Sequence, residues 1–128
     1  MDGCTNYTVL SEADRAQGNT VNNSLCDCGL VTGWYRFQGA AGDRMADQCV
    51  PRYRCGTERP VWLNGLHPTV AEDVVTRKVC YHMWDDCCRW SHIIKVKNCS
   101  SYYVYELHRT LGCPLRYCGN DGAGKFFS

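Results

Sequence analysis

Apolar positions along this chain come in short runs separated by turn residues. Gly33-Trp34-Tyr35-Arg36-Phe37 is an aromatic-rich run that predicts a strand. Val50 to Arg54 predicts a second, kept short or at an edge by Pro51, which has no N–H to give a ladder. Val61-Trp62-Leu63 is a third, closed by Asn64-Gly65, a strong turn signal. Val74 to Trp84 is the longest candidate; neither face is cleanly apolar, but its β-branched content favours strand over helix. Asp85-Asp86 turns the chain, and Ile93 to Asn98 alternates Ile94 and Val96 against Lys95 and Lys97, as a half-buried strand should. Tyr102 to Leu107 and Leu115 to Cys118 complete the set. Residues 5–31 read as polar loop, Gly39 to Asp43 as a turn, and Gly119 to Gly124 as a mobile glycine-rich segment. The expected class is mainly β: a small disulfide-rich antiparallel sheet or sandwich, with one short helix admitted between residues 68 and 76.

With 128 residues and no linker or repeat, the chain is expected to be one domain, 1–128. No apolar stretch approaches the roughly 20 residues of a membrane-spanning helix. Met1-Asp2-Gly3-Cys4 has neither a basic nor an apolar leader region, so a secreted protein of this kind is expected to have lost its signal already. The net charge of +1, from 14 basic and 13 acidic residues, argues against a nucleic-acid partner.

Eleven cysteines change the picture most. Their spacings, such as Cys26-x-Cys28, Cys49-x5-Cys55 and adjacent Cys87-Cys88, do not form the paired sets of a zinc site, and His67, His82, His92 and His108 are scattered. A disulfide framework in an oxidising compartment is the better reading. The lean aliphatic core agrees: Leu, Ile, Val and Phe together make up only 24 of the 128 residues. An odd count leaves one thiol over, and cysteines one residue apart or adjacent in sequence are poorly placed to bond each other.

The order of short motifs is specific. Asn6-Tyr7-Thr8 follows a cysteine. Then come Cys26-Asp27, Gly33-Trp34-Tyr35-Arg36-Phe37, Arg44-Met45-Ala46 and Cys49-Val50-Pro51 with Cys55. Trp62-Leu63-Asn64-Gly65, His67-Pro68, Arg77-Lys78-Val79-Cys80, Cys87-Cys88-x-Trp90, Val96-Lys97-x-Cys99, Tyr102-Tyr103-Val104-Tyr105 and Tyr117-Cys118 follow in that order. From about Cys4 to Cys118 the chain resembles the cysteine-rich decoy domain of uromodulin-like extracellular glycoproteins. That resemblance implies a secreted β domain with pairs Cys4–Cys99, Cys26–Cys113, Cys49–Cys87, Cys55–Cys118 and Cys80–Cys88. Cys28 is then the extra residue, expected free or bonded to another chain as a disulfide-linked dimer.

The same resemblance implies N-glycans that mannose-binding bacterial pili recognise. Two positions depart from the pattern: Asn64-Gly65-Leu66 lacks the hydroxyl residue of a sequon, and Glu106 stands where a glycosylated Asn is expected. The sequons present are at Asn6, Asn22 and Asn98. Asn22, in a polar loop, is the best acceptor, and Asn98, next to a framework cysteine, the poorest.

Four Trp and eight Tyr admit a sugar-stacking surface. Trp34 and Trp90 read as packing around disulfides in place of aliphatics. Trp62, before an Asn-Gly turn, makes with Asn64 and His67 the best guess for a contact patch. His82, Asp85 and Asp86 read as a solvated turn rather than a catalytic or metal cluster, and no nucleophile elbow, zinc-protease or phosphate-loop motif occurs. A non-catalytic domain without metal or cofactor is expected. Three functions remain open: an extracellular module that recognises proteins or glycans in host defence or matrix assembly, a free-standing lectin, and a glycan-presenting decoy.

Overall fold

A computed structural model describes residues 2–121. Seven strands form one sheet: β1 (Thr8–Leu10), β2 (Gly33–Phe37), β3 (Arg59–Asn64), β4 (Val74–Met83), β5 (Asp86–Asn98), β6 (Tyr103–Leu107) and β7 (Leu115–Tyr117). Their spatial order is β1-β2-β6-β5-β4-β3-β7. The five central strands pair antiparallel, through β2–β6, β6–β5, β5–β4 and β4–β3. The outer pairs, β1–β2 and β3–β7, are parallel, so the antiparallel expectation holds for the centre of the sheet and not its edges. Both edge strands have three residues, which leaves little open ladder for another chain to join.

Side-chain alternation divides the interior into two parts. Val61, Leu63, Val79, Tyr81, Ile94, Val96, Tyr105, Leu107 and Tyr117 belong to the main apolar cluster. The residues between them in β3, β4 and after β7 — Trp62, Cys80 and Cys118 — belong to a second cluster with Ala46, Val50 and Cys55. The second core is built largely of sulfur and one indole, which explains how so few aliphatics suffice. The disulfides are Cys4–Cys99, Cys26–Cys113, Cys49–Cys87, Cys55–Cys118 and Cys80–Cys88, the five pairs implied by the resemblance. Three of them, through Cys49, Cys55, Cys80, Cys88 and Cys118, run through or against this second core.

A buried ion pair ties the first segment to the last strand. Asp27 receives Arg15 Nη1 at 2.8 Å and Nη2 at 3.1 Å, and the Tyr117 N–H at 2.8 Å. Arg15 Nη1 also donates to the Tyr117 carbonyl at 3.0 Å, and Nε faces the Glu12 carboxylate at 3.7 Å. Both Asp27 oxygens are thus met and the guanidinium is bound in a two-pronged fork, the condition under which a buried charge is tolerated.

Several expectations are corrected. No strand forms at Val50 to Arg54: Pro51 gives no ladder bond, and Tyr53 and Cys55 take left-handed φ values of 64° and 48°. Residues 5–31 hold the short strand β1, whose polar sequence concealed it. The hairpin turn is Trp84-Asp85, with Met83 pairing Asp86, rather than Asp85-Asp86. Where a short helix was admitted, between residues 68 and 76, a single three-residue 3-10 turn forms, Val70–Glu72, with a capping box from Thr69. Gly119 is buried and bridges to both Ala16 and Met45, unlike the mobile segment expected there. The remainder of that expectation, residues 122–124, lies outside the described residues.

Candidate recognition surface

The β4–β5 hairpin is the longest element, and its tip is braced on three sides. Cys80–Cys88 cross-links its two strands, Cys49–Cys87 ties it to the preceding loop, and His82 Nδ1–H donates to the Val50 carbonyl at 2.7 Å. The two-residue turn puts Trp84 at φ 55°. Gly or Asn is the usual occupant of such a position; a bulky side chain there costs roughly 1–3 kcal/mol. Trp84 is the bulkiest non-glycine residue at positive φ in the described chain.

Beside this turn lies a concave surface of about 350 Å³, lined by Tyr81, Met83, Trp84, Arg89, Trp90, Leu111 and Leu115. Trp84 is 54% exposed, Trp90 57% and Leu111 61%. The Arg89 guanidinium carbon sits 5.1 Å from the Trp84 ring centre, in cation–π range. No carboxylate lies within ion-pair distance of Arg89 among the described residues. Trp90 therefore does not pack around the disulfides as the sequence suggested; it continues the core face of β5 past the point where the core ends. Trp34 is half-buried, close against Gly3.

Tyr81, on the lining of the concavity, ends a chain of hydrogen bonds behind it. The Tyr117 hydroxyl donates to the His108 carbonyl at 2.7 Å, so at His92 it accepts the Nε2–H, 3.0 Å away. The Tyr81 hydroxyl then donates to His92 Nδ1 at 2.6 Å. Burial, and then the neighbouring His108, lower the His92 pKa to about 4, while burial raises Tyr81 to about 12. Neutral His92 thus has both ring nitrogens bonded at pH 7.

The patch expected from sequence lies elsewhere and is mostly interior. Trp62 is 8% exposed, with its indole N–H donating to the Cys87 carbonyl at 2.8 Å. The His67 side chain is buried, with Nε2 2.7 Å from the Tyr105 hydroxyl. Asn64 is exposed at the end of β3, its amide 3.4 Å from Cys80 Sγ. Trp62 thus ties β3 to β5, His67 ties the β3–β4 connection to β6, and Asn64 reaches β4. His82 packs on Val50, and Asp85 and Asp86 are exposed, Asp86 accepting the Cys88 N–H at 2.9 Å. Two side-chain groups fall within metal-ligand distance of one another, Cys26/Cys28/Cys113 and Cys49/His82/Cys87. In each, a disulfide already consumes two of the sulfurs.

Of the sequon residues, Asn6 and Asn22 are exposed. Asn98 ends β5, half-buried, its amide donating to the Pro68 carbonyl at 3.0 Å. Cys28 is the free cysteine, and it is exposed.

A family model for the uromodulin-like domain matches residues 35–119. The chain belongs to the uromodulin-like domain family. This domain is 48% identical over 118 residues to the pancreatic secretory granule membrane major glycoprotein of Canis lupus familiaris, covering 91% of this chain and 23% of that protein. It is also 48% identical over 119 residues to uromodulin of Mus musculus, covering 92% and 18%. The human pancreatic glycoprotein (Homo sapiens) matches at 42% over 119 residues, covering 92% and 22%. The chain therefore spans about a fifth of the length of the relatives it matches. Five disulfides and this membership make it an extracellular, disulfide-rich domain. No helix among the described residues is long and apolar enough to cross a membrane.

Sequence reasoning missed the Trp84–Arg89–Trp90 surface. Its signal was present: a Trp directly before the acidic pair that marks a tight turn, and an Arg-Trp pair just after it, across the hairpin.

Proposed function

We propose that this uromodulin-like domain is a non-catalytic extracellular recognition module. Its contact surface is the concavity at the tip of the β4–β5 hairpin, and its occupant is a protein. The observation that carries this reading is Trp84, held exposed at positive φ in a turn that Gly or Asn would make without strain. A destabilising conformation kept by a large, exposed aromatic points to use of that side chain.

The chemistry of the surface favours a protein over a sugar. Trp, Tyr, Met and Arg are the side chains enriched at the centres of protein interfaces, and rigid aromatic anchors lose little entropy on binding. The lining is mainly apolar, whereas a sugar site needs several fixed hydrogen-bonding groups around its stacking ring. Arg89 fits a partner that presents a carboxylate beside an apolar side chain.

The decisive experiment displays oxidised, unglycosylated protein to a panel of extracellular protein domains and, in parallel, to a glycan array. Trp84→Gly and Trp90→Ala are tested beside it. The expected result is saturable binding to a protein that both variants lose, while Trp84→Gly keeps or raises the thermal midpoint because its strain is relieved. Saturable sugar binding lost by both variants would make the domain a lectin instead. Binding that survives both substitutions would remove the concavity as the site. Covalent pairing of two chains through Cys28, seen as a dimer on a non-reducing gel, would add assembly to recognition.

A further inference from the structure

Cys28 does not stand alone. Its Sγ lies 2.6 Å from Cys113 Sγ, the sulfur already bonded to Cys26. The Cys28 backbone N–H donates to Cys26 Sγ at 3.3 Å. All three sulfurs fall within 4.8 Å of one another. Cys28 opens a turn closed by the Leu30 N–H on the Asp27 carbonyl at 3.1 Å, and the Cys-Asp-Cys sequence brings both of its sulfurs to Cys113. The residue between them is anchored: Asp27 is buried, bound to Arg15 and to the Tyr117 N–H, and its own N–H donates to the Leu115 carbonyl at 2.8 Å. Among the described residues, no other cysteine is free.

We propose that Cys26, Cys28 and Cys113 form a thiol–disulfide exchange centre in which one reactive thiol is shared between positions 26 and 28. The Cys28 thiol loses its proton to solvent. The thiolate attacks Cys113 Sγ, the Cys28–Cys113 bond forms, the Cys113–Cys26 bond breaks, and Cys26 leaves as a thiolate that takes up a proton. One disulfide is made as one is broken, so no oxidant or reductant is consumed.

Three features favour the reaction. Attacking and attacked sulfurs are already adjacent, so the step is intramolecular and pre-oriented. The Cys28 N–H points at the sulfur on which negative charge develops as the old bond breaks. The two products are also close in chain entropy, because the closed loops span separations of 87 and 85 residues and loop-closure entropy varies only with the logarithm of length. The partner class follows: an extracellular protein with a labile disulfide, one sulfur of which is attacked by the free thiolate at Cys26 or Cys28, so that a mixed disulfide forms and the partner's other sulfur leaves as a thiolate.

The test uses the oxidised domain and iodoacetamide as the probe. The native protein is alkylated at pH 8 over a time course and digested without reduction, and the label is localised by fragmentation. Because alkylation of either thiol ends the exchange, the expected result is two singly labelled populations, one with label on Cys28 and the Cys26–Cys113 bond and one with label on Cys26 and the Cys28–Cys113 bond, the second growing as the iodoacetamide concentration is lowered. Formation of the Cys26 product should slow about tenfold per pH unit below the thiol's pKa, because the thiolate is the nucleophile. Cys28→Ser should take no label. Cys26→Ser should form Cys28–Cys113, leave no alkylatable thiol and keep the far-UV spectrum. Label confined to Cys28 throughout, or two free thiols in a folded Cys26→Ser protein, would overturn the proposal.

Discussion

The buried Tyr105 hydroxyl accepts the Met45 N–H at 2.8 Å and gives its single proton to Nε2 of His67, the acceptor that lies 2.7 Å away. The proton of neutral His67 therefore sits on Nδ1, which faces Asp47 at 3.4 Å without an aligned hydrogen bond. Two influences compete: burial disfavours the imidazolium, and Asp47 favours it. Burial prevails, helped by Arg44, and lowers the His67 pKa to about 4. The unfolded chain takes up this proton near pH 6.5, the folded one near 4. Between those values the unfolded state binds more protons, so stability is full above about pH 6.5 and falls as the pH drops toward 4. His92 adds in the same direction. Urea midpoints measured from pH 7 to pH 4 should decline, and His67→Gln should make the decline shallower although it lowers stability at pH 7. An acid limb identical in the variant would refute the assignment.

Asp27 is the best-connected buried charge. Asp27→Ala leaves Arg15 buried without its carboxylate and the Tyr117 N–H without its acceptor, an arrangement that typically costs about 3–5 kcal/mol. Asp27→Asn keeps an acceptor oxygen and should lose clearly less. Equilibrium denaturation of the two variants decides the matter; a cost below about 1 kcal/mol for the alanine variant would mean the pair contributes little.

How much of this was legible beforehand depended on what kind of signal each residue carried. Strands β2, β3, β4 and β6 announced themselves through aromatic and β-branched runs, because each buries at least one face and needs those side chains. Strand β1 did not, since Thr8 and Val9 are exposed and only Leu10 enters the core. The start of β5 was hidden for a related reason: from Asp86 to Trp90 only Cys88 packs on a core, the second one, so the composition there is set by disulfides and surface rather than by aliphatic burial. The disulfide pairs came from resemblance, since spacing alone cannot order ten cysteines. His67 and Trp62 looked like surface residues because they flank a turn signal. Their burial depends on Tyr105 and Cys87, partners distant in sequence.

Gly119 marks a close approach rather than flexibility. A Cβ there would stand 1.8 Å from the Ala41 carbonyl oxygen and 2.9 Å from the Phe37 ring. The first of these neighbours is backbone, which cannot swing aside as a side chain would. Gly119→Ala should cost at least about 1–3 kcal/mol, the usual penalty of overpacking, with the thermal midpoint lowered accordingly. An unchanged midpoint would show that the 39–45 segment yields freely.

Glycan occupancy follows from which amides are engaged. The Asn98 side chain is used twice: its amide donates to the Pro68 carbonyl at 3.0 Å, and its Oδ1 accepts the Ser100 N–H at 2.8 Å. A glycan on that nitrogen would break the Pro68 bond and force a bulky group into a half-buried strand end, beside the Cys4–Cys99 bridge. Asn22 is exposed in a loop, its Oδ1 accepting the Ser24 N–H at 2.9 Å. Protein made in a eukaryotic secretory host should therefore carry a glycan at Asn22 and none at Asn98. Enzymatic deglycosylation in heavy-oxygen water, followed by peptide mass mapping, reads each site separately. Occupancy at Asn98 would mean that the amide is free long enough during folding to be modified, and that the Pro68 contact is dispensable for the final fold.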